Sequence, residues 1–405
     1  MSDPSTTLIH HPYHPHAGFE APQPGVFKAS TVFFPNVAAM RNREWKDKSA
    51  YTYGLHGTPT TYALEERLCT LEGGLQCLLA PSGLAAIALV NLSLLKAGDE
   101  VLIPDNAYAP TKALAEGELA TWGITHQYYN PMDVADLQCK LSARTGLVWL
   151  EAAGSVTLEF PDLVAMVRLC RDTGVRTVLD NTWGAGLAFQ PFNLEPHSEP
   201  SLGVDVSVHA LTKYPSGGGD VLMGSIITRD AGLHLRLKLT HMRLGFGVGA
   251  NDVEAILRSL PSMALRYRAH DQSARALAAW CQTQPAFVQV LHPALEGSAG
   301  HVYWKSLCNN EVGGAAGLFS VVMHPSYTQE QTDAFCNALM LFRLGYSWGG
   351  AVSLVIPYDL QAMRSTWPSH IVQGTLLRFC VGLEVLDDLK ADIEQALALL
   401  PLLSE

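Results

Sequence analysis

From about residue 61 onward, short apolar runs alternate with segments whose apolar residues recur every three or four positions. Gln76 to Ala80 is one such run, followed by Pro81-Ser82-Gly83 and a helix-like stretch from Leu84 to Leu95. Gly98-Asp99 marks a turn before the next run, Glu100 to Pro104. Val134, Leu137 and Leu141 share one helical face. Leu163, Met166, Val167 and Cys170 share another, opened by Pro161 at a first-turn position. Gly146 to Leu150, Val175 to Leu179, Val204 to Val208 and Val221 to Thr228 read as further strands. This alternation predicts an α/β domain with a mostly parallel sheet covered on both faces. Ligands of such sheets bind beyond the carboxyl ends of the strands. Ser82, Asp180 and Lys213 each lie just after an apolar run, so the pattern brings all three to that edge.

A long helical region from about Asp252 to Gln284 is expected to lead into a smaller domain. Its strands are expected at Leu318 to Met323, Val352 to Ile356 and Leu376 to Leu383. It closes with a helix whose face is Leu386, Leu389, Ile393 and Leu400. Residues 1–60 carry little periodicity and many Pro, Gly, His and Thr, and read as an extended arm. Such an arm needs another surface to lie on, which implies an oligomer. The expected organisation is an arm over 1–60, a large domain over 61–255 and a C-terminal α/β domain over 256–405.

Composition narrows the function classes. Of 405 residues, 48% are hydrophobic and 16% charged, enough to bury a large core. The net charge of −11 without basic runs argues against nucleic acid as a partner. The longest apolar stretch, Gly83 to Leu95, is shorter than the roughly 20 residues of a membrane span. The first sixteen residues lack the charged-then-apolar pattern of a signal peptide. Eight scattered cysteines with no Cys-x-x-Cys pair read as reduced thiols of a cytoplasmic protein. His10, His11, His14 and His16 are irregularly spaced and lack an acidic or cysteine partner, so no metal site is expected.

Asp180 ends a strand in VLDNTWGAG, and Lys213 follows another in ALTKYPSGGGD. A lysine in such a place can form a Schiff base, and a carboxylate beside it can keep a pyridine nitrogen protonated. Both are needs of pyridoxal phosphate. Spacing alone favours a structural Asp–Lys pair or two unrelated solvated residues. Ser82-Gly83-Leu84 at a strand-to-helix turn would offer backbone N–H groups and a hydroxyl to a phosphate, with Thr212 as a second hydroxyl. Tyr108, in DNAYAPT, would lay a ring in the same crevice, or would be a surface tyrosine.

Together these segments resemble the Cys/Met-metabolism family of pyridoxal-phosphate enzymes, within the fold-type I aminotransferase-like superfamily. The resemblance is carried by YGLHGTPTTYALEERLCTLEGG, APSGLAAI, DNAYAPT, VLDNTWGAG, LTKY, SWGG and GTLLRFCVGLEVLDDL, in the family's order. It extends from about residue 25 to the end of the chain. Within the family the chain is most similar to the β-lyase branch, whose bacterial members cleave cystathionine. Gly154-Ser155 stands where γ-acting members carry Asn-Pro, and Tyr346-Ser347-Trp348 where they carry a Ser-Leu version.

The resemblance implies pyridoxal 5'-phosphate as cofactor and an amino-acid thioether as substrate. Lys213 would be the Schiff-base lysine and proton shuttle, Asp180 the partner of the ring nitrogen, and Tyr108 the stacked ring. Ser82, Gly83, Leu84 and Thr212 would hold the phosphate. Arg378 would clamp the substrate carboxylate, with Ser347 and Trp348 lining the substrate side. Tyr53 would reach the site of a neighbouring subunit in a dimer with shared sites, two of which form a tetramer. Rival expectations are a γ-acting member, a cysteine-S-conjugate lyase, or a binding protein that has lost catalysis. One departure stands out. The family's arm carries Tyr-x-Arg, but here Tyr53 is followed by Gly54 and Leu55, with His56 next to the gap.

Overall fold

The computed structural model describes residues 18, 21–42, 48–196, 201–308 and 314–402. The four N-terminal histidines lie outside these residues. The large sheet holds β1 (Gln76–Ala80), β2 (Glu100–Pro104), β3 (Thr125–Tyr129), β4 (Thr145–Glu151), β5 (Arg176–Asp180), β6 (Val206–Ala210) and β7 (Gly224–Thr228). Their spatial order is β1-β7-β6-β5-β4-β2-β3. The pairings from β3 across to β6 are parallel, and β7 runs antiparallel to both its neighbours, β1 and β6. The expected mostly parallel sheet is therefore present.

Alternate side chains on each strand enter opposite layers. Val148 and Leu150 of β4 join one apolar cluster, with Leu64 and Leu68 from helix α1 (Pro59–Glu72). Leu147 and Trp149 join the other, with Ile87 and Val90 from helix α2 (Gly83–Leu94). Both faces are covered, which is why these strands read as continuous apolar runs.

The second sheet holds β8 (Phe287–Leu291), β9 (Leu318–Met323), β10 (Arg343–Leu344), β11 (Leu354–Tyr358) and β12 (Leu376–Cys380), in the order β10-β11-β12-β9-β8. Phe319 of β9 stacks on Phe379 of β12 at 5.0 Å between ring centroids. Helix α3 (Met263–Cys281) joins the two layers of structure. Its start, Met263 and Tyr267, packs into the large-sheet core, and Ala274 and Leu277 pack into the small-sheet core.

Several boundaries differ from the sequence reading. The helical region from 252 to 284 is two helices, Ala250–Ser259 and α3, parted by a 3-10 turn at Leu260–Ser262. Pro261 accounts for the break, because a ring there removes an N–H donor and crowds the preceding turn. Pro161 stands outside its helix, which is capped instead by the Asp162 side chain accepting from the Ala165 N–H. The run from 221 becomes strand only at Gly224. All eight cysteines are free, as expected, and only Cys139 is exposed. No helix among the described residues is long and apolar enough to cross a membrane, and no cluster of metal-ligating side chains occurs among them.

Candidate active site

The carboxyl ends of β1, β4, β5 and β6 open into a cavity of about 560 Å³, closed on its far side by the second sheet. Ser82, Gly83, Leu84, Tyr108, Asp180, Thr212, Lys213, Ser347, Trp348 and Arg378 all line it. Ten of the eleven singled-out residues thus meet in one place.

Lys213 sits in the tight turn after β6, its N–H donating to Ala210 O at 3.1 Å. Its Nζ donates to Ser347 Oγ at 3.0 Å and lies 5.2 Å from the centre of the Trp348 ring. Burial, and then the Arg378 charge, lower the amine to a pKa of about 8. Gly349 lets the Ser347-Trp348 segment approach this closely. A Cβ there would stand 3.0 Å from the Tyr214 nitrogen and 3.1 Å from the Lys213 carbonyl carbon, at a φ of +81°.

Asp180 is the last residue of β5, and its Oδ1 accepts the Thr182 N–H at 3.0 Å. Burial raises its pKa, opposed by the Thr182 hydrogen bonds, His209 and Lys213. Tyr108 precedes a short helix, Ala109–Leu114. Burial and then the charges of Asp180 and Glu151 hold its hydroxyl protonated.

Arg378 stands in the middle of β12 and is buried. Its Nη2 donates to the Tyr346 carbonyl at 2.7 Å, and its guanidinium lies 5.3 Å from the Tyr358 ring centre. Its Nε has no partner among the described residues. A buried guanidinium with an idle donor suits a carboxylate.

The phosphate end is built from α2. Ser82 caps this helix, accepting the Ala85 N–H at 3.0 Å. The first N–H groups of the helix, at Gly83 and Leu84, have no intrahelical acceptor. Gly83 allows this turn to press on β6, since a Cβ there would lie 2.7 Å from the Ala210 Cβ. Thr212 Oγ1 accepts the Met223 N–H at 3.3 Å, which fixes the hydroxyl at the same end.

These residues fit pyridoxal phosphate. There is an amine of lowered pKa, a carboxylate at a strand end, a helix N-terminus with free N–H groups and an arginine with an unpaired donor. Tyr53 lies elsewhere, on the wall of a second cavity of about 200 Å³ with Leu55, His56 and His241. Its own chain does not bring it to Lys213.

Glu151 and Tyr358 also line the main cavity and were not singled out from the sequence. Glu151 carries the same signal as Asp180, an acid ending an apolar run.

The sequence pattern of the Cys/Met metabolism PLP-dependent enzymes matches residues 5–398. A relative from Rhizobium johnstonii is 39% identical over 93% of this chain and 91% of its own. The cystathionine β-lyase of Bordetella avium is 36% identical over 98% of this chain and 99% of its own. The crystal structure of cystathionine γ-lyase from Lactobacillus plantarum, complexed with L-serine, has a TM-score of 0.82 at 25% identity. It covers 97% of this chain and 98% of that one. On sequence, fold and cavity chemistry alike, the chain belongs to the Cys/Met metabolism family of pyridoxal-phosphate-dependent enzymes.

Proposed function

We propose that this chain is a cytoplasmic carbon–sulfur β-lyase that converts L-cystathionine and water to homocysteine, pyruvate and ammonia. The observation that carries the reading is the placement of the Lys213 amine, held by Ser347 in one cavity with Asp180 and Arg378. The relatives named as cystathionine β-lyases support the choice of leaving group.

When bound, pyridoxal phosphate supplies an aldehyde for amines and a ring that accepts the electron pair released at the substrate Cα. Arg378 binds the substrate carboxylate, and its contact with Tyr346 fixes the plane of the fork. Lys213 Nζ takes the Cα proton, because at a pKa of about 8 a useful fraction of the amine is neutral near pH 7. Ser347 Oγ aims that nitrogen. Asp180 would keep the ring nitrogen of the bound cofactor protonated. Lys213 or the Tyr108 hydroxyl then delivers a proton to the departing sulfur. Ser82, Gly83, Leu84 and Thr212 would hold the phosphate, and the Tyr108 ring would cover the cofactor.

The oligomer completes this reading. Tyr53 enters the site of a neighbouring subunit in a dimer, and two dimers form a tetramer. A γ-acting member is the second reading, favoured by the likeness to the γ-lyase structure. A product assay with added cofactor and L-cystathionine separates the two. Pyruvate with homocysteine is the expected result. 2-Oxobutyrate with cysteine would assign γ-elimination, and no keto acid from cofactor-loaded protein would reject both.

A further inference from the structure

We propose that Glu151 is a positioning residue of this site: its carboxyl holds the Tyr108 backbone, and so sets where the Tyr108 ring lies relative to Asp180. Glu151 ends β4 and stands in parallel register beside Asp180 at the end of β5. Its Oε2 accepts the Tyr108 N–H at 2.8 Å, and the Ser155 turn lies beside the same carboxyl. Tyr108 is the N-cap of its helix and makes no side-chain capping bond there, so its placement rests on backbone contacts, the one to Glu151 among them.

The turn beside it is strained. Val156 and Leu158 adopt φ of +68° and +57°, which branched residues rarely do. Such a conformation persists only where its surroundings over-determine it. The surroundings are visible. Ser155 N–H donates to Asn106 O at 2.9 Å, and Ser320 Oγ donates to Val156 O at 2.6 Å. Ser155, Val156 and Leu158 all face the cavity. The Glu151 carboxyl therefore ties the aromatic wall to the strand end beside Asp180, next to a strained turn.

The charged and titratable groups that face Glu151 are Asp180, Arg364, Tyr108 and Tyr129. Burial, then Asp180, push the Glu151 carboxyl well above its ordinary value. Asp180 has the Thr182 hydrogen bonds and Lys213 to support its charge. Glu151 Oε2 has only to accept the Tyr108 N–H, which needs an oxygen there and no charge. A glutamine can do the same, and an alanine cannot.

Only the kinetic arm of the test rests on the lyase reading. In the full-length chain with cofactor, Glu151→Ala should lower kcat about tenfold or more while KM stays within about threefold. It should also change the visible circular dichroism of the bound cofactor and speed amide exchange at Tyr108. Glu151→Gln should keep all of these near wild type. Wild-type exchange and kcat in Glu151→Ala would overturn the proposal. So would a Glu151→Gln enzyme as poor as the alanine variant with a displaced pH profile, because charge would then be the cause. If Glu151→Ala fails to fold, Glu151→Asp, one methylene short of the Tyr108 N–H, takes its place. Faster exchange as expected, in a protein that makes no keto acid, would sink the lyase reading and leave this one standing.

Discussion

The Lys213 amine is tuned by what surrounds it. Removing an amine from water disfavours its charged form, and Arg378 adds repulsion, so a pKa of about 8 replaces the usual value near 10.4. The neutral amine attacks an aldehyde, so its fraction governs how fast cofactor-free protein takes up pyridoxal phosphate. At pH 7 roughly a tenth of the amine is then neutral, against under a thousandth for an ordinary lysine. The uptake rate should climb from pH 6 and level off above about pH 8, as followed by stopped-flow absorbance. A rate still climbing beyond pH 10 would show that Arg378 and burial leave the amine unshifted. Lys213 and Asp180 were legible in the sequence because each stands at the end of an apolar run, a position that needs a chemical reason. Glu151 stands in such a position too. Its partner is not local, because the Tyr108 N–H that Glu151 accepts is 43 positions away in the chain. Arg378 was legible for a different reason: a lone guanidinium in an apolar strand demands an acceptor.

The turn between β4 and the next helix is closed from the other domain, and this contact was not legible at all. Glu159 is buried and accepts from Asn106 Nδ2 at 2.8 Å and Thr157 Oγ1 at 2.6 Å. It also pairs with Arg364, and with His370 Nε2 at 3.0 Å, both from the segment between β11 and β12. Burial alone would raise its pKa, but His370, Arg364, Thr157 and Asn106 outweigh it and bring the carboxyl to about 2. A carboxylate depressed in the folded state stabilises the fold above its unfolded pKa, near 4.3, and loses that contribution as pH falls toward 2. The shift corresponds to roughly 3 kcal/mol. Glu159→Gln should therefore lower the unfolding free energy at pH 7 by about that amount. The gap from wild type should close between pH 4.5 and 2 in denaturant titrations, and a pH-independent gap would count against the ion-pair account. Elements that bury both faces were readable, because β1, β2 and β4 are plain apolar runs. β3 is not legible because Thr125 to Tyr128 alternate between exposed and half-buried, only Tyr129 is buried, and three of the five side chains are polar. Pairs such as Glu159 with Arg364 join residues more than two hundred positions apart, and no local pattern carries them.

For the whole molecule, the arm is the open question that its own surface answers in part. Phe33 is 94% exposed, Phe27 54% and Tyr53 45%, an apolar exposure that a lone chain would not favour. Tyr53 packs edge-on to His56, and its ring is out of reach of the Lys213 cavity in the same chain. Both facts suit an arm laid against a second copy, with Tyr53 completing that copy's site. An isologous dimer of this kind makes a sharp prediction about mixed subunits. Lys213→Ala removes the amine but keeps a sound arm, and Tyr53→Ala keeps the amine but spoils the arm. Each variant alone should be nearly inactive. After the two are mixed, dissociated and reassembled in equal amounts, half the dimers are hybrids. Each hybrid contains one site with both Lys213 and Tyr53 intact, so activity should return to about a quarter of the wild-type level. Recovery appearing only after subunit exchange would establish that the site spans two chains. If the mixture stays inactive while sedimentation reports hybrid dimers, Tyr53 serves its own chain or none, and the missing arginine at Leu55 would then cost the neighbour nothing.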